Sequence, residues 1–183
     1  MSCEVVEHPL AFCWTFWVDN FNDKNGTFEE YIDNLKEIVS CNSIESFWKA
    51  FGCLPSLELL QDQKVSIHFM KDGIKPCWED KENENGSTIT IKCEKEATSR
   101  IWKEFLIDII SNQEKQLLDY GIVNGISVSI KKSNNLIVVW TKTTSIIIQN
   151  QIINYLITRF PELKEEDVFF KENKQHSSFA SNK

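Results

Sequence analysis

The chain reads as an α+β domain, an antiparallel sheet with helices packed on one face. Two observations carry this reading. Short stretches of two-residue alternation, ISVSIKK the clearest, are separated by turn residues. Longer stretches that repeat their apolar residues at helical spacing fall between groups of strands, which is the α+β pattern. With 183 residues, 42% of them hydrophobic and 26% charged, the chain can bury one sizeable core.

The elements follow in order. AFCWTFWV (11–18), aromatic and β-branched, predicts the first strand, closed by the turn-rich DNFNDKNG. DNLKEIVS (33–40) predicts a second. Ser43 caps a short helix, SIESFWKAF, whose Ile44, Phe47, Trp48 and Phe51 recur at helical spacing until Gly52 ends it. VSIHFM (65–70) and ITIKC (89–93) are two further strands. From about Ala97 to Asn112 the residues Ile101, Trp102, Phe105, Leu106, Ile109 and Ile110 form one apolar stripe, the longest helix. ISVSIKK (126–132) and LIVVWTK (136–142) flank the turn SNN and predict a hairpin. Residues 145–160 predict a second long helix stopped by Pro161, and DVFF (167–170) a last strand. Residues 1–7 and 172–183 are expected to be flexible tails around a domain spanning 8–171. If helices cover one face of the sheet, the other is open to a ligand.

A net charge of −7 argues against a protein that coats nucleic acid. The charge is uneven, however. Residues 120–161 contain Lys131, Lys132, Lys142 and Arg159 and no acid, so this stretch is +4 and the remainder −11. A locally basic region on an acidic body suits a few bound phosphates, and equally a buried apolar half that excludes acids. No apolar run approaches the roughly 18 to 20 residues that span a bilayer, so a soluble, cytoplasmic protein without membrane contact is expected. The six cysteines form no C-x-x-C and no His-x-x-x-His accompanies them, so reduced packing thiols are expected. His68 and His176 have no Ser, Cys or carboxylate partner at a diagnostic spacing, which gives catalysis little support.

In KDGIKPCWED, Trp78 stands beside Glu79 and Asp80 behind a tight turn. An indole on an open sheet face stacks on a flat ligand, and a neighbouring carboxylate accepts hydrogen bonds from it. N7-methylguanine fits both demands. Its delocalised positive charge gains cation–π attraction on the order of 2 kcal/mol, and its N1–H and exocyclic amine donate together to one carboxylate. The triplet alone also fits a core tryptophan followed by two solvated carboxylates.

Five ordered segments resemble the cap-binding translation initiation factor 4E family. HPLAFCWTFWV is similar to its H-P-L opening, SIESFW to its V-E-D-F-W helix, and KDGIKPCWED to its K-D-G-I-x-P-x-W-E-D signature. RIWKEFLIDII resembles its R-x-W-x-x-x-L-x-x-x-I helix, and IVVWTK its I-A-I-W-T strand. The resemblance runs from His8 to about Phe170. It implies a curved antiparallel sheet with helices on the convex face and a cap pocket on the concave face. Trp78 would stack on 7-methylguanine, Glu79 would grip its Watson–Crick edge, and Tyr31 would supply the second ring. Trp140 would border the methyl group, and Lys131 with Lys132 would meet the phosphates. The chain also departs from the pattern. Tyr31 stands where a tryptophan is usual, Lys131 replaces an arginine, and Leu136 replaces a lysine; Thr88 and Ile89 replace an Arg-Trp pair. A phenol is a weaker π-donor than an indole, so a lower cap affinity is expected, which Tyr31→Trp would raise.

The resemblance also implies a partner surface on the helical side, from His8, Pro9, Leu10, Ile44, Trp48, Glu104, Leu106 and Ile107. There a Tyr-x-x-x-x-Leu-apolar peptide of a 4G-type scaffold initiation factor or a 4E-binding repressor would dock. Lys103 departs from the usual apolar residue. The implied function is non-enzymatic binding of the 7-methylguanosine 5'-triphosphate end of capped mRNA by a monomer without cofactor, in translation initiation. Three alternatives stay open: a translational repressor of the same family, an interaction module whose cap site has decayed, and a metal-assisted hydrolase using Glu79 and Asp80.

Overall fold

The computed structural model of the protein describes residues 7–20, 27–61, 63–111 and 121–175. Its strands are β1 (Pro9–Asp19), β2 (Lys36–Ser43), β3 (Ser66–Lys71), β4 (Ser87–Cys93), β5 (Val123–Ser129), β6 (Asn135–Thr141) and β7 (Val168–Glu172). They form one sheet in the order β2-β1-β3-β5-β6-β4-β7, with every neighbouring pair antiparallel. The helices are α1 (Phe28–Asn34), α2 (Ile44–Cys53), α3 (Lys95–Ile110) and α4 (Ile146–Arg159). The α+β class read from the sequence is the class observed. Among the described residues, no helix is long and apolar enough to cross a membrane.

Alternation along each strand decides which face a residue serves. Phe16, Phe69, Ile126, Val139 and Ile89 join Phe47 of α2, Phe105 and Leu106 of α3, and Leu156 of α4 in the main core. Trp17, Met70 and Trp140 point the other way and form a second, smaller cluster with Leu35 and Ile74. Three helices therefore cover one face, while α1 contributes Tyr31 and Ile32 to the other.

Several boundaries differ from expectation. The predicted strand 33–40 starts at Lys36, because α1 takes up Asp33 and Asn34. Thr27 Oγ1 accepts from Glu30 N at 3.2 Å, and the Glu30 carboxylate accepts from Thr27 N at 2.7 Å. This capping box satisfies first-turn donors and makes a helix of a segment that composition presents as loop. α2 runs through Gly52 to Cys53 and closes where Leu54 N donates to Phe51 O. β5 ends at Ser129, three residues early, because Lys131 N turns to donate to the Asn135 side chain at 3.1 Å. The expected C-terminal tail is also ordered at its start. Glu172 is in β7, and Asn173, buried, donates its N–H to Gly86 O at 3.0 Å. His176, Asn112, the rest of that tail and residues 1–6 lie outside the described residues.

The five described cysteines are free thiols. Burial pushes Cys41 and Cys93 up to about 12 and Cys77 up to about 11, whereas Cys53 is exposed.

Candidate functional site

The segment between β3 and β4 carries Trp78, and it is held from inside by asparagine. Gly73, at φ 79°, turns the chain out of β3 in a conformation that disfavours a side chain. Asp80 closes the loop on itself, accepting from Lys75 N at 3.0 Å and Glu82 N at 2.9 Å. Asn83 is fully buried and donates to the carbonyls of Lys75 (2.9 Å) and Cys77 (3.0 Å). Its own side-chain oxygen accepts from Asn124 at 3.0 Å, and its backbone carbonyl accepts from the Asn173 amide at 2.7 Å. Asp80 is thus a loop fastener, and Glu79 is left with a different role.

Trp78 and Tyr31 both pack, partly buried, against the open-face cluster of Trp17, Met70 and Trp140. Tyr31 donates its hydroxyl to Pro76 O at 2.8 Å, tying α1 to the Trp78 loop. Burial first, then the negative charges of nearby Asp19, Cys77 and Glu79, hold its phenol well above the ordinary range, so it stays a neutral ring. Both carboxylate oxygens of Glu79 are buried with no hydrogen-bond partner among the described residues, and the Trp17 indole nitrogen is in the same condition. A carboxylate in that condition is costly unless something donates to it. Two flat aromatic side chains beside an unsatisfied acceptor pair suit a planar, cationic, hydrogen-bond-donating ligand.

Beneath them runs a relay absent from the sequence reading. Trp140 is buried and its indole N–H donates to Ser127 Oγ at 2.8 Å. Ser127 Oγ lies 2.7 Å from His68 Nδ1, and His68 Nε2 lies 2.7 Å from Asp19 Oδ2. The Asp19 carboxylate can only accept, so a neutral imidazole donates Nε2–H to it and takes the Ser127 hydroxyl at Nδ1, while Ser127 Oγ accepts from the indole. The expectation that His68 lacks Ser or carboxylate partners is therefore corrected. The register places His68 directly across from Ser127, which spacing along the chain does not reveal. All three residues are buried beneath the cluster, so the arrangement orients Trp140 rather than presenting a nucleophile. Gly125 permits this packing. A side chain there would come within 2.7 Å of Phe69 O and press on Met70.

Lys131 and Lys132 are exposed in the β5–β6 turn, and Leu136 is half-buried. No group of three His, Cys, Asp or Glu among the described residues is arranged to hold a metal ion.

The sequence model described as "Eukaryotic initiation factor 4E" matches residues 9–183. The chain belongs to the eukaryotic initiation factor 4E family. It is 30% identical over 139 residues to the translation initiation factor NCBP of Arabidopsis thaliana, covering 76% of this chain and 61% of that protein. It is 31% identical over 139 residues to initiation factor 4E of Dictyostelium discoideum, covering 76% and 54%. The chain thus spans little more than half the length of these curated relatives. In fold it is similar to C. elegans eIF4E-3, solved with the 4E-binding protein Mextli and a cap analogue. There the TM-score is 0.79 at 23% identity, with 92% of this chain and 94% of that one covered. Ascaris suum eIF4E-3 with an m2,2,7G cap gives 0.76 at 21%, with 94% of each chain covered.

On the helical side, this 4E-family chain exposes part of what the sequence suggested. Trp48 is 41% exposed and stands edge-on to Phe47 and Phe51, with Lys103 Nζ 5.8 Å from its ring. Ile44 is exposed beside it, and Ile44 N donates to His8 O at 2.9 Å. His8 binds Glu45 through both its backbone N–H (2.9 Å) and Nδ1 (2.7 Å). These bonds hold the Glu45 carboxyl down at about 2 and fix the chain entry, with Pro9 exposed and Leu10 half-buried. Glu104 is paired with Arg100 (2.8 Å) and Arg159 (2.9 Å), and Ile107 is half-buried. Leu106 is a correction. It is fully buried under α3, one of the largest enclosed side chains, and belongs to the core instead of the surface.

Proposed function

We propose that the chain binds the 7-methylguanosine cap of mRNA and presents it, through the helical face around Trp48, to a partner protein in translation initiation. The observation that carries this reading is the buried, unpartnered Glu79 carboxylate beside Trp78 and Tyr31. Methylguanine stacks between the two rings, and its N1–H and amine satisfy both Glu79 oxygens. Trp140 forms the floor of the pocket, held by the Ser127 relay. Lys131 and Lys132 meet the phosphates as point charges. The partner is a scaffold initiation factor of the 4G type or a 4E-binding repressor. The protein works by binding alone, in the cytoplasm.

The test is quenching of intrinsic tryptophan fluorescence by 7-methyl-GTP, with GTP as control, on the wild type, Trp78→Ala and Glu79→Gln. Saturable, methyl-selective quenching lost in both variants is the expected result. A response to neither nucleotide removes the cap reading. A second reading, a partner-binding module with a lapsed cap site, draws on the uncharged Thr88 and Leu136. It predicts partner-peptide binding, lost in Trp48→Ala, without any nucleotide response.

A further inference from the structure

The open face does not end at Trp140. The register carries three rows of side chains from β3 across to the sheet's edge. One runs Met70, Gly125, Trp140, Thr88 and Lys171; the next His68, Ser127, Val138, Thr90 and Phe169; the third Ser66, Ser129, Leu136 and Lys92. Paired residues in a sheet share a face. Neither Thr88 nor Leu136 is charged, but the outward neighbour of each is a lysine. Lys171 lies opposite Thr88 on β7, and Lys92 opposite Leu136 on β4. Between these rows Phe169 stands 55% exposed, and β7 is the last strand of the sheet.

Lys92, Lys171 and Lys131 are exposed, and none has an ion pair among the described residues. Four acids, Glu94, Glu162, Glu166 and Asp167, line a cavity of about 200 Å³ together with Lys92 and Lys164, and bound the strip at that end. An exposed phenyl ring flanked by unpaired lysines on an open sheet face is the surface that single-stranded nucleic acid uses, bases on the aromatic ring and phosphates on the cations. An exposed phenylalanine between cations does not suit an acidic peptide, which has no base to stack.

We propose that β7 and the outer half of β4 form a binding strip for the single-stranded RNA that follows the cap, with a nucleobase stacked on Phe169 and backbone phosphates on Lys92 and Lys171. The register joins the strip to the pocket floor through the row Trp140, Thr88, Lys171, of which Lys171 is exposed and the other two are buried. The strip rests on the cap reading for its direction, since the pocket sets where the strand begins.

The test compares the affinity of the full chain for 7-methyl-GTP, a 7-methylguanosine-capped RNA pentanucleotide and the same pentanucleotide uncapped. The wild type, Phe169→Ala, Lys92→Gln and Lys171→Gln are each measured by fluorescence anisotropy at several salt concentrations. The capped RNA should bind about tenfold more tightly than 7-methyl-GTP, and Phe169→Ala should remove about fivefold or more of that gain. The two lysine variants together should flatten the salt slope for capped RNA by roughly 1.4. Affinity for 7-methyl-GTP should be the same in all four proteins. Equal binding of cap and capped RNA overturns the strip, as does a gain unaffected by Phe169→Ala. If 7-methyl-GTP does not bind at all, the uncapped arm decides. Salt-dependent RNA binding lost in Phe169→Ala keeps the strip and removes the cap reading, and no RNA binding removes both.

Discussion

Glu79 keeps a carboxylate buried without partners, which a stability-driven sequence would replace. Glu79→Gln should therefore raise the melting temperature, by the equivalent of about 1 kcal/mol, while weakening 7-methyl-GTP binding at least tenfold. A melting temperature that falls would mean that the carboxylate supports the fold instead. Trp78 and Glu79 were legible in the sequence because they are adjacent within one motif. Asp19, His68 and Ser127 were not, because their neighbours come from strands 49 and 59 residues apart, brought together only by register. Ser127→Ala leaves the Trp140 indole N–H without its acceptor. The ¹⁵N indole resonance of Trp140 should shift, and cap affinity should fall about three- to tenfold, equivalent to about 1 kcal/mol. In a Trp140→Phe background the same substitution should have no further effect on affinity; a purely structural serine would cost the same in both backgrounds.

At the level of elements, α1 is short and depends on its capping box. Thr27→Ala should cost about 1 kcal/mol of local stability. Because α1 carries Tyr31 to the pocket, this should appear as weaker cap-analogue binding with nearly unchanged binding of a partner peptide at Trp48. Equal losses at both surfaces would contradict the separation of the two faces. The longer elements were legible in the sequence because their apolar periodicity is strong: α3 and the β5–β6 hairpin fall within three residues of expectation. α1 was missed because its seven residues bury no residue fully, so periodicity gives no signal; only the Thr-x-x-Glu pattern does. Leu106 was misplaced for a related reason. A residue at the edge of a helical stripe is assigned to surface or core by what packs over it, and here the main core closes around it.

For the whole molecule, buried thiols set an alkaline limit. Cys41 and Cys93 rise from 9.0 to about 12 and Cys77 to about 11 in the folded chain, through burial. Unfolded, they ionise near their ordinary value. The stability linked to their neutral form is fully present below about pH 9 and is lost as pH rises through the folded values. Thermal melts should stay flat up to about pH 9 and fall beyond it, and Cys41→Ala with Cys93→Ala should lessen that fall. The asparagine core of the Trp78 loop bears on a different process. Asn83 closes on Asn124, 41 residues onward, and on Asn173, 90 residues onward. Synthesis runs from the N-terminus, so Trp78 and Glu79 leave the ribosome long before the residue that fastens their loop. A nascent chain stalled before residue 173 holds Tyr31, Trp78 and Glu79 but lacks the amide that fastens the Asn83 carbonyl, so the Trp78 loop reaches its finished form only after the chain has passed β7.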